Sequence, residues 1–340
     1  MKEFDLIQWI CSQASASPTV EVGPGDDCAV LRVGGEQLLI TVDQVLDGVH
    51  FVLSRDGPAA GGRKAVARNL SDIAAMGGEP LAMVASVALP MGFDDAQAKE
   101  LYDGMRRIGE QHACPLVGGD ISAWNRTAER LQISVTVLGL CRGVGPVLRS
   151  TARPGDVICV TGALGAAWRT ARHLNFTPRL REGRVLARDY AVSAMIDISD
   201  GLAADLGHIA AMSGVGAVLD ALAVPVHPDA TAACQRAVPG GQPVRHGQTQ
   251  SLSLPIALEM ALYDGEDYEL LFTLPPEQAD RLLADQQKTR AGLPALQGVP
   301  DHPFDVPVSR IGVIRSEPGL FLDRAGRLDA IEPRGWEHST

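Results

Sequence analysis

Aspartates recur along this chain, most of them after short apolar runs and beside glycine or serine, and they constrain it more than any other feature. The segments are GPGDDCAV with Asp26 and Asp27, LLITVDQV with Asp43, NLSDIAAMGG with Asp72, LVGGD with Asp120, and MIDISDG with Asp197 and Asp200. A further acidic knot, GEDYE, holds Glu266, Asp267 and Glu269. Carboxylates gathered at strand ends and helix starts repel one another unless a cation holds them. Mg²⁺ takes oxygen ligands and commonly binds a few carboxylates together with substrate phosphates. The pattern predicts Mg²⁺-dependent phosphate chemistry.

A length of 340 residues favours two domains, and 46% hydrophobic residues supply a core for each. Aromatics are only 4%, so the core is mostly Val, Leu, Ile and Ala. The net charge of -11 argues against sequence-independent nucleic-acid binding, which needs basic patches to displace counterions. Cys11, Cys28, Cys114, Cys141, Cys159 and Cys234 form no C-x-x-C pair, and they read as reduced thiols of a cytoplasmic protein. The opening MKEFDLIQWICSQASASP lacks the apolar core of a signal peptide. The longest apolar run, residues 81–93, is broken by Pro90 and is too short to span a bilayer.

Residues 36–42 read as a buried strand stopping at Asp43, and 62–77 as a helix with a Val66–Leu70–Ile73 stripe. Asn69 and Asp72 share another face of that helix, which Gly77, Gly78 and Pro80 end. Strands are predicted over 82–89 and 131–141, and a helix over 95–112 carrying Leu101, Met105, Ile108 and His112 on one face. The Gly-, Pro- and Arg-rich stretch around 148 marks the boundary between domains 1–148 and 149–340. Beyond it, DVICVTGALG reads as strand, glycine turn and helix start. MIDIS leads to a helix over 200–213, capped by Ser199 or Asp200 and closed by Gly214. Residues 225–256 and 286–309 read as surface excursions. The mixture suggests α/β (α+β) layers, with helices packed on sheets.

Taken singly, each motif has a plainer reading. GPGDD suits an acidic hairpin turn. His50 suits a packed histidine, and Asp72 a solvated helix face. GGD suits a loop, Ser199 or Asp200 a helix cap, and GEDYE an acidic turn. The arginines from Arg169 to Arg188 read as a solvated helix face. The P-loop, protein-kinase, G-x-S-x-G and H-E-x-x-H patterns are all absent.

In order and together, GPGDDCAV, TVDQVLDGVHF, KAVARNLSDIAAMGGEP, LVGGD, LRSTARPGDVICVTGALG, TPR, AMIDISDGLAADLGHI, DGEDYELLFT and PRGWEH resemble the thiamine-monophosphate kinases. These belong with aminoimidazole ribonucleotide synthetase and selenophosphate synthetase. The resemblance spans residues 23–338. It implies two α/β domains: an N-terminal mixed sheet with helices for ATP, Mg²⁺ and dimerisation, and a C-terminal α/β sandwich for substrate. It implies transfer of phosphate from ATP to thiamine monophosphate, several Mg²⁺ ions and a homodimer.

On the same resemblance, the metal ligands are Asp27, Thr41, Asp43, Asp72, Asp120, Asp197 and Asp200. The nucleotide contacts are Tyr102, Gly119, Arg149 and Ser199, and the substrate contacts are His50, Glu266 and Trp336. No general base is expected, because a phosphate monoester is already an anion near neutral pH. The chain departs from the family at Val42 and Gln44, where threonines are usual, so a hydroxyl ligand is missing at Val42 unless only the backbone carbonyl serves there. It departs again at Asp264, where a glycine is usual, and at Ile121, where a threonine is. Two other readings compete. A selenophosphate-type enzyme needs a reactive Cys near a Lys, which Cys11 lacks. A silent nucleotide-binding scaffold draws support only from Val42, Gln44 and Ile121.

Overall fold

Residues 3–13, 17–236, 255–290, 304 and 306–336 are described by the computed structural model. The chain divides into two units: Met1–Val147 with His173–Asp189, and Leu148–Arg172 with Tyr190–His338. A division at 148 would assign residues 173–189 to the second unit, whereas they pack with the first.

The first unit contains helices α1 (Glu3–Gln13), α2 (Leu53–Asp56), α3 (Pro58–Ala75), α4 (Asp95–Gln111) and α5 (Leu180–Asp189). Its strands are β1 (Val20–Val22), β2 (Ala29–Val33), β3 (Glu36–Leu46), β4 (Glu79–Leu89), β5 (Leu116–Ala123) and β6 (Gln132–Cys141), in the order β1-β2-β3-β6-β4-β5. Neighbours are antiparallel except β4 and β5, which run parallel and are joined through α4. Burial along β6 alternates strictly, as a sheet with one covered face requires. Ile133, Val135 and Val137 point under α3, whose Val66, Leu70 and Ile73 are fully buried as the stripe predicted. Burying each such side chain contributes roughly 1.5–3 kcal/mol.

α3 begins earlier than residue 62 because Pro58 suits a first helical turn. It ends at Met76 and Gly77, whose φ of 68° is open to glycine. Asp94 and Gln97 start α4 with reciprocal side-chain bonds to each other's backbone N–H. Leu101, Met105 and Ile108 form its buried face.

Two expectations about this unit are corrected. Asp43 does not end a strand: β3 continues to Leu46, in register with β6 to its last residue. Gly118, Gly119 and Asp120 do not form a loop, because they pair with β4 inside the edge strand β5.

The second unit holds β7 (Val157–Thr161), β8 (Ala194–Asp197), β9 (Gly216–Asp220), β10 (Leu270–Leu274), β11 (Val308–Arg315), β12 (Gly319–Arg324) and β13 (Arg327–Ile331). Their order is β13-β12-β9-β11-β7-β10-β8, and only β9 and β12 pair in parallel. Its helices are α6 (Leu202–Ser213), α7 (Pro228–Arg236), α8 (Ile256–Tyr263) and α9 (Pro276–Arg290). The interior strands β7 and β10 are buried along their whole length. Ile158, Val160, Ile196, Leu206 and Leu271 lie in the core that α6 covers.

No helix starts after VTGALG. Positive φ at Gly162, Gly165, Ala166 and Ala171 keeps 163–171 in turns that lead only to a short 3-10 segment at Arg172–Leu174. The arginine run is therefore not one helix face, since only α5 carries it as such. Of the two expected excursions, 237–254 and 291–303 with 305 lie outside the described residues. The described flanks include α7, the start of α8, the end of α9 and the start of β11. Among the described residues, no helix is long and apolar enough to cross a membrane.

Candidate active site

In the first unit, three of the expected oxygen ligands come together. Asp27 lies buried between β1 and β2, Thr41 is buried on β3, and Asp72 is half-buried on α3. Thr41 Oγ1 donates to Asp72 Oδ2. The Asp27 and Asp72 carboxylates approach within 4.8 Å. Burial, followed by the charges of Asp72, Asp27 and Asp26, raises the Cys28 thiol well above its usual range. Asp43 stands two residues along β3 from Thr41, on the same face of the strand. There its carboxylate meets Arg68, with Nη2 to Oδ1 and Nε to Oδ2 both at 3.3 Å.

Val42 and Gln44 alternate with these two residues and are exposed on the opposite face, Val42 to 63%. A hydroxyl at position 42 would therefore point away from Asp72. The departures from the family pattern do not touch the Thr41–Asp72 pair.

Asp120 stands apart within this unit. Asp43 pairs with Val135, Val135 with Ala85, and Ala85 with Gly119. Three strand spacings of about 4.8 Å put Asp120 roughly 14 Å from Asp43. Asp120 instead borders a groove between α4 and β5, about 380 Å³ in volume, lined by Leu101, Tyr102, Met105, Gly119 and Ile121 among others. Gly119 permits the tight sheet beside it, because a Cβ there would lie 1.9 Å from the Ala85 carbonyl oxygen.

His50 is buried, and its Nδ1 accepts from the Leu46 N–H at 3.1 Å, which leaves Nε2 to carry the ring proton. Its carbonyl accepts from Lys64 Nζ at 2.7 Å, and the same ammonium meets His173 Nδ1 at 2.8 Å. Sequence reasoning passed over Lys64, a fully buried lysine, because its helical spacing gives no sign that it faces inward.

In the second unit, segments far apart in sequence converge on the turn after β8. Asp197 ends β8 and is buried, and Ser199 and Asp200 follow. The Ser199 carbonyl accepts from the Glu266 N–H at 2.7 Å, and the Asp200 carbonyl from the Trp336 N–H at 2.9 Å. Glu266, Ser199, Asp200 and Trp336 are thus brought together. Neither Ser199 nor Asp200 caps α6. Gly201 occupies the cap position with φ 124°, and Asp205 reaches back so that Oδ2 accepts from the N–H groups of Asp200 and Gly201.

Burial first, then Asp200 and Asp197, push the Asp205 carboxyl well above the ordinary range. Burial and Arg149 push His208 down to about 4. Asp200, Asp205 and His208 hold donor atoms within 4.8 Å of one another. Asp205 and His208 fall three apart on α6, a spacing that could have singled them out.

The GEDYE acids do not act alike. Glu266 (φ 61°) and Tyr268 (φ 51°) are both left-handed, a conformation that costs on the order of 1–3 kcal/mol per residue. Asp267, between them, is buried against Arg172 and the Gly165 N–H. Burial pushes its carboxyl up to about 7, outweighing the opposing pull of Arg172 and Gly165. Glu269 is buried and accepts from Thr161 Oγ1 at 2.6 Å.

Two sheet-and-helix units of this kind, each with acids and glycine turns at its strand ends, define the aminoimidazole ribonucleotide synthase class. Residues 25–141 match the family described as AIR synthase related protein, N-terminal domain, and residues 153–292 match its C-terminal domain. The chain is 31% identical to the thiamine-monophosphate kinase of Bacillus subtilis (strain 168) over an alignment of 364 residues, covering 99% of each chain. It is 34% identical to the enzyme of that name from Salmonella typhimurium, covering 99% of this chain and 98% of the other. A solved structure described as AaThiL complexed with AMPPCP and TMP is similar with a TM-score of 0.77 at 30% identity, over 99% of this chain and 97% of that one. The chain belongs to the thiamine-monophosphate kinase family.

Proposed function

We propose that this chain transfers the γ-phosphoryl group of ATP to thiamine monophosphate, giving ADP and thiamine diphosphate. The observation that carries this reading is the likeness to kinases of that name over 99% of the chain. The gathering of oxygen donors in each unit supports it.

Asp27, Thr41, Asp43, Asp72, Asp120, Asp197 and Asp200 would hold several Mg²⁺ ions. Their donors are all hard oxygens, and Asp27 and Asp72 lie within 4.8 Å of each other, so the residues fit the metal. When bound, Mg²⁺ offsets the repulsion between the two phosphates, which for unit charges about 4 Å apart is about 4 kcal/mol at an effective dielectric near 20. Tyr102, Gly119, Arg149 and Ser199 contact the nucleotide, and the apolar groove beside Tyr102 suits a flat base. His50 presents its Nε2 proton, Glu266 a carboxylate and Trp336 a half-exposed indole to the substrate, whose cationic thiazolium an aromatic face attracts. The acceptor phosphate needs no general base. Catalysis rests on positioning and charge, as phosphoryl transfer generally does.

On this reading, residues 1–148 serve dimerisation and supply most of the ATP and Mg²⁺ contacts, and 149–340 form the substrate-binding domain, which adds Arg149, Ser199, Asp197 and Asp200. The apolar side chains on the open face of the first sheet, Val42 and Val84 among them, support pairing with a second copy. Six free cysteines support a cytoplasmic location.

The test is product formation from ATP, thiamine monophosphate and Mg²⁺. Thiamine diphosphate should appear with matching ADP, EDTA should abolish both, and Asp72→Asn should lower kcat by about 100-fold or more at saturating Mg²⁺. ADP release that ignores thiamine monophosphate would overturn the reading.

A further inference from the structure

The turn that carries Glu266 is held in an unfavourable backbone state, and a buried side chain at its centre helps to anchor it. Gly265 (φ 69°), Glu266 (φ 61°) and Tyr268 (φ 51°) are all left-handed. Backbone bonds hold the outer residues of the turn, Glu266 N–H to the Ser199 carbonyl at 2.7 Å and Tyr268 N–H to the Ile198 carbonyl at 2.8 Å. Between them, Asp267 turns its carboxylate into the second unit and is 2% exposed. Oδ1 and Oδ2 accept from the Gly165 N–H at 3.0 and 2.9 Å, and Oδ1 accepts from Arg172 Nη2 at 2.8 Å. Arg172 Nη2 also donates to the Gly165 carbonyl at 2.8 Å, so one guanidinium ties both ends of the clasp. Gly165 can meet the carboxylate this way because its φ is 100° and a Cβ would strike the Ala261 nitrogen at 2.8 Å. A left-handed Glu266 persists only while its surroundings over-determine it.

We propose that Asp267 is a positioning residue: its clasp with Arg172 and Gly165 fixes the strained turn and so the direction in which Glu266 meets the substrate. The inference rests on the assignment of Glu266 as a contact to thiamine monophosphate. Asp267 touches neither substrate nor nucleotide. Its loss frees Glu266 to leave the left-handed state and weakens binding of one substrate only.

The test is steady-state kinetics of the full chain at pH 8, where the Asp267 carboxyl is ionised. It compares Asp267→Asn, Glu266→Gln and the double variant, with thermal melts to check folding. Glu266→Gln and Asp267→Asn should each raise the KM for thiamine monophosphate about tenfold, with the KM for ATP within about twofold of the parent. The double variant should be no worse than Glu266→Gln alone, because both changes remove one function. If Asp267→Asn does not fold, Arg172→Lys keeps the charge but ends one bond short of Nη2, the nitrogen that makes both bonds, and should raise the same KM by about threefold. A normal KM in Asp267→Asn, or in Arg172→Lys where that stands in, beside an impaired Glu266→Gln overturns the positioning role alone. Equal rises in both KM values overturn it as well, by showing a general structural defect. A silent Glu266→Gln overturns the Glu266 assignment and the inference with it.

Discussion

Asp43 and Asp72 are alike in sequence and unlike in place. Asp72, on α3, accepts a hydroxyl hydrogen bond from Thr41, and Asp43, on β3, meets Arg68. An aspartate in the chain names a donor type but not its partner, because partners come from strands and helices distant in sequence. Cysteine shows the same limit. Burial pushes the thiols of Cys114 up to about 11 and those of Cys141 and Cys159 up to about 12, and burial and then neighbouring acids raise Cys28 as well. Only Cys11 and Cys234 are partly exposed. Since the thiolate is the reactive form, a disulfide reagent at pH 8 should modify two of the six thiols in the native chain and all six in denaturant. Fast modification of four or more would contradict the burial.

Helices α3 and α4 were readable from period alone, because a stripe at three and four residues has one way to bury itself. Their close approach was not. A Cβ at Gly104 would lie 2.1 Å from the Ala59 carbonyl oxygen, and one at Gly62 would lie 2.3 Å from that of Leu101. Both faults are with backbone, which cannot rotate aside. Gly104→Ala should therefore destabilise the first unit by about 1–3 kcal/mol, seen as a lower denaturant midpoint with an unchanged slope. A midpoint equal to the parent's would show that the helices part without cost. Strand ends were the weakest reading. β3 runs through Asp43 because its pairing with β6 continues to Leu46, and a charged residue half-exposed on one face does not interrupt a ladder. The helix expected after VTGALG failed for a local reason, since alanines there adopt left-handed φ that no helix tolerates.

At the scale of the molecule, two domains and their class followed from the order of the motifs. The return of residues 173–189 to the first unit did not, because nothing local marks which sheet a connecting segment will serve. The exposed apolar side chains of the first sheet belong to this scale too. Sedimentation should give a mass about twice the 35.9 kDa of one chain. Val42→Lys with Val84→Lys, at positions 63% and 41% exposed on the open face, should shift it toward one chain without altering the fold. A parent sedimenting as a single chain would remove the dimer.

The pleat of β3 has one more consequence. Thr41 and Asp43 face Asp72 and Arg68, while Val42 and Gln44 look the other way. The strand is two scripts written on alternate letters, one addressed to a cluster of charges and one to whatever lies across the open surface. Either script can be edited under its own demands while the other stays intact, so a redesigned assembly can begin at 42 and 44 without rewriting the chemistry beside them.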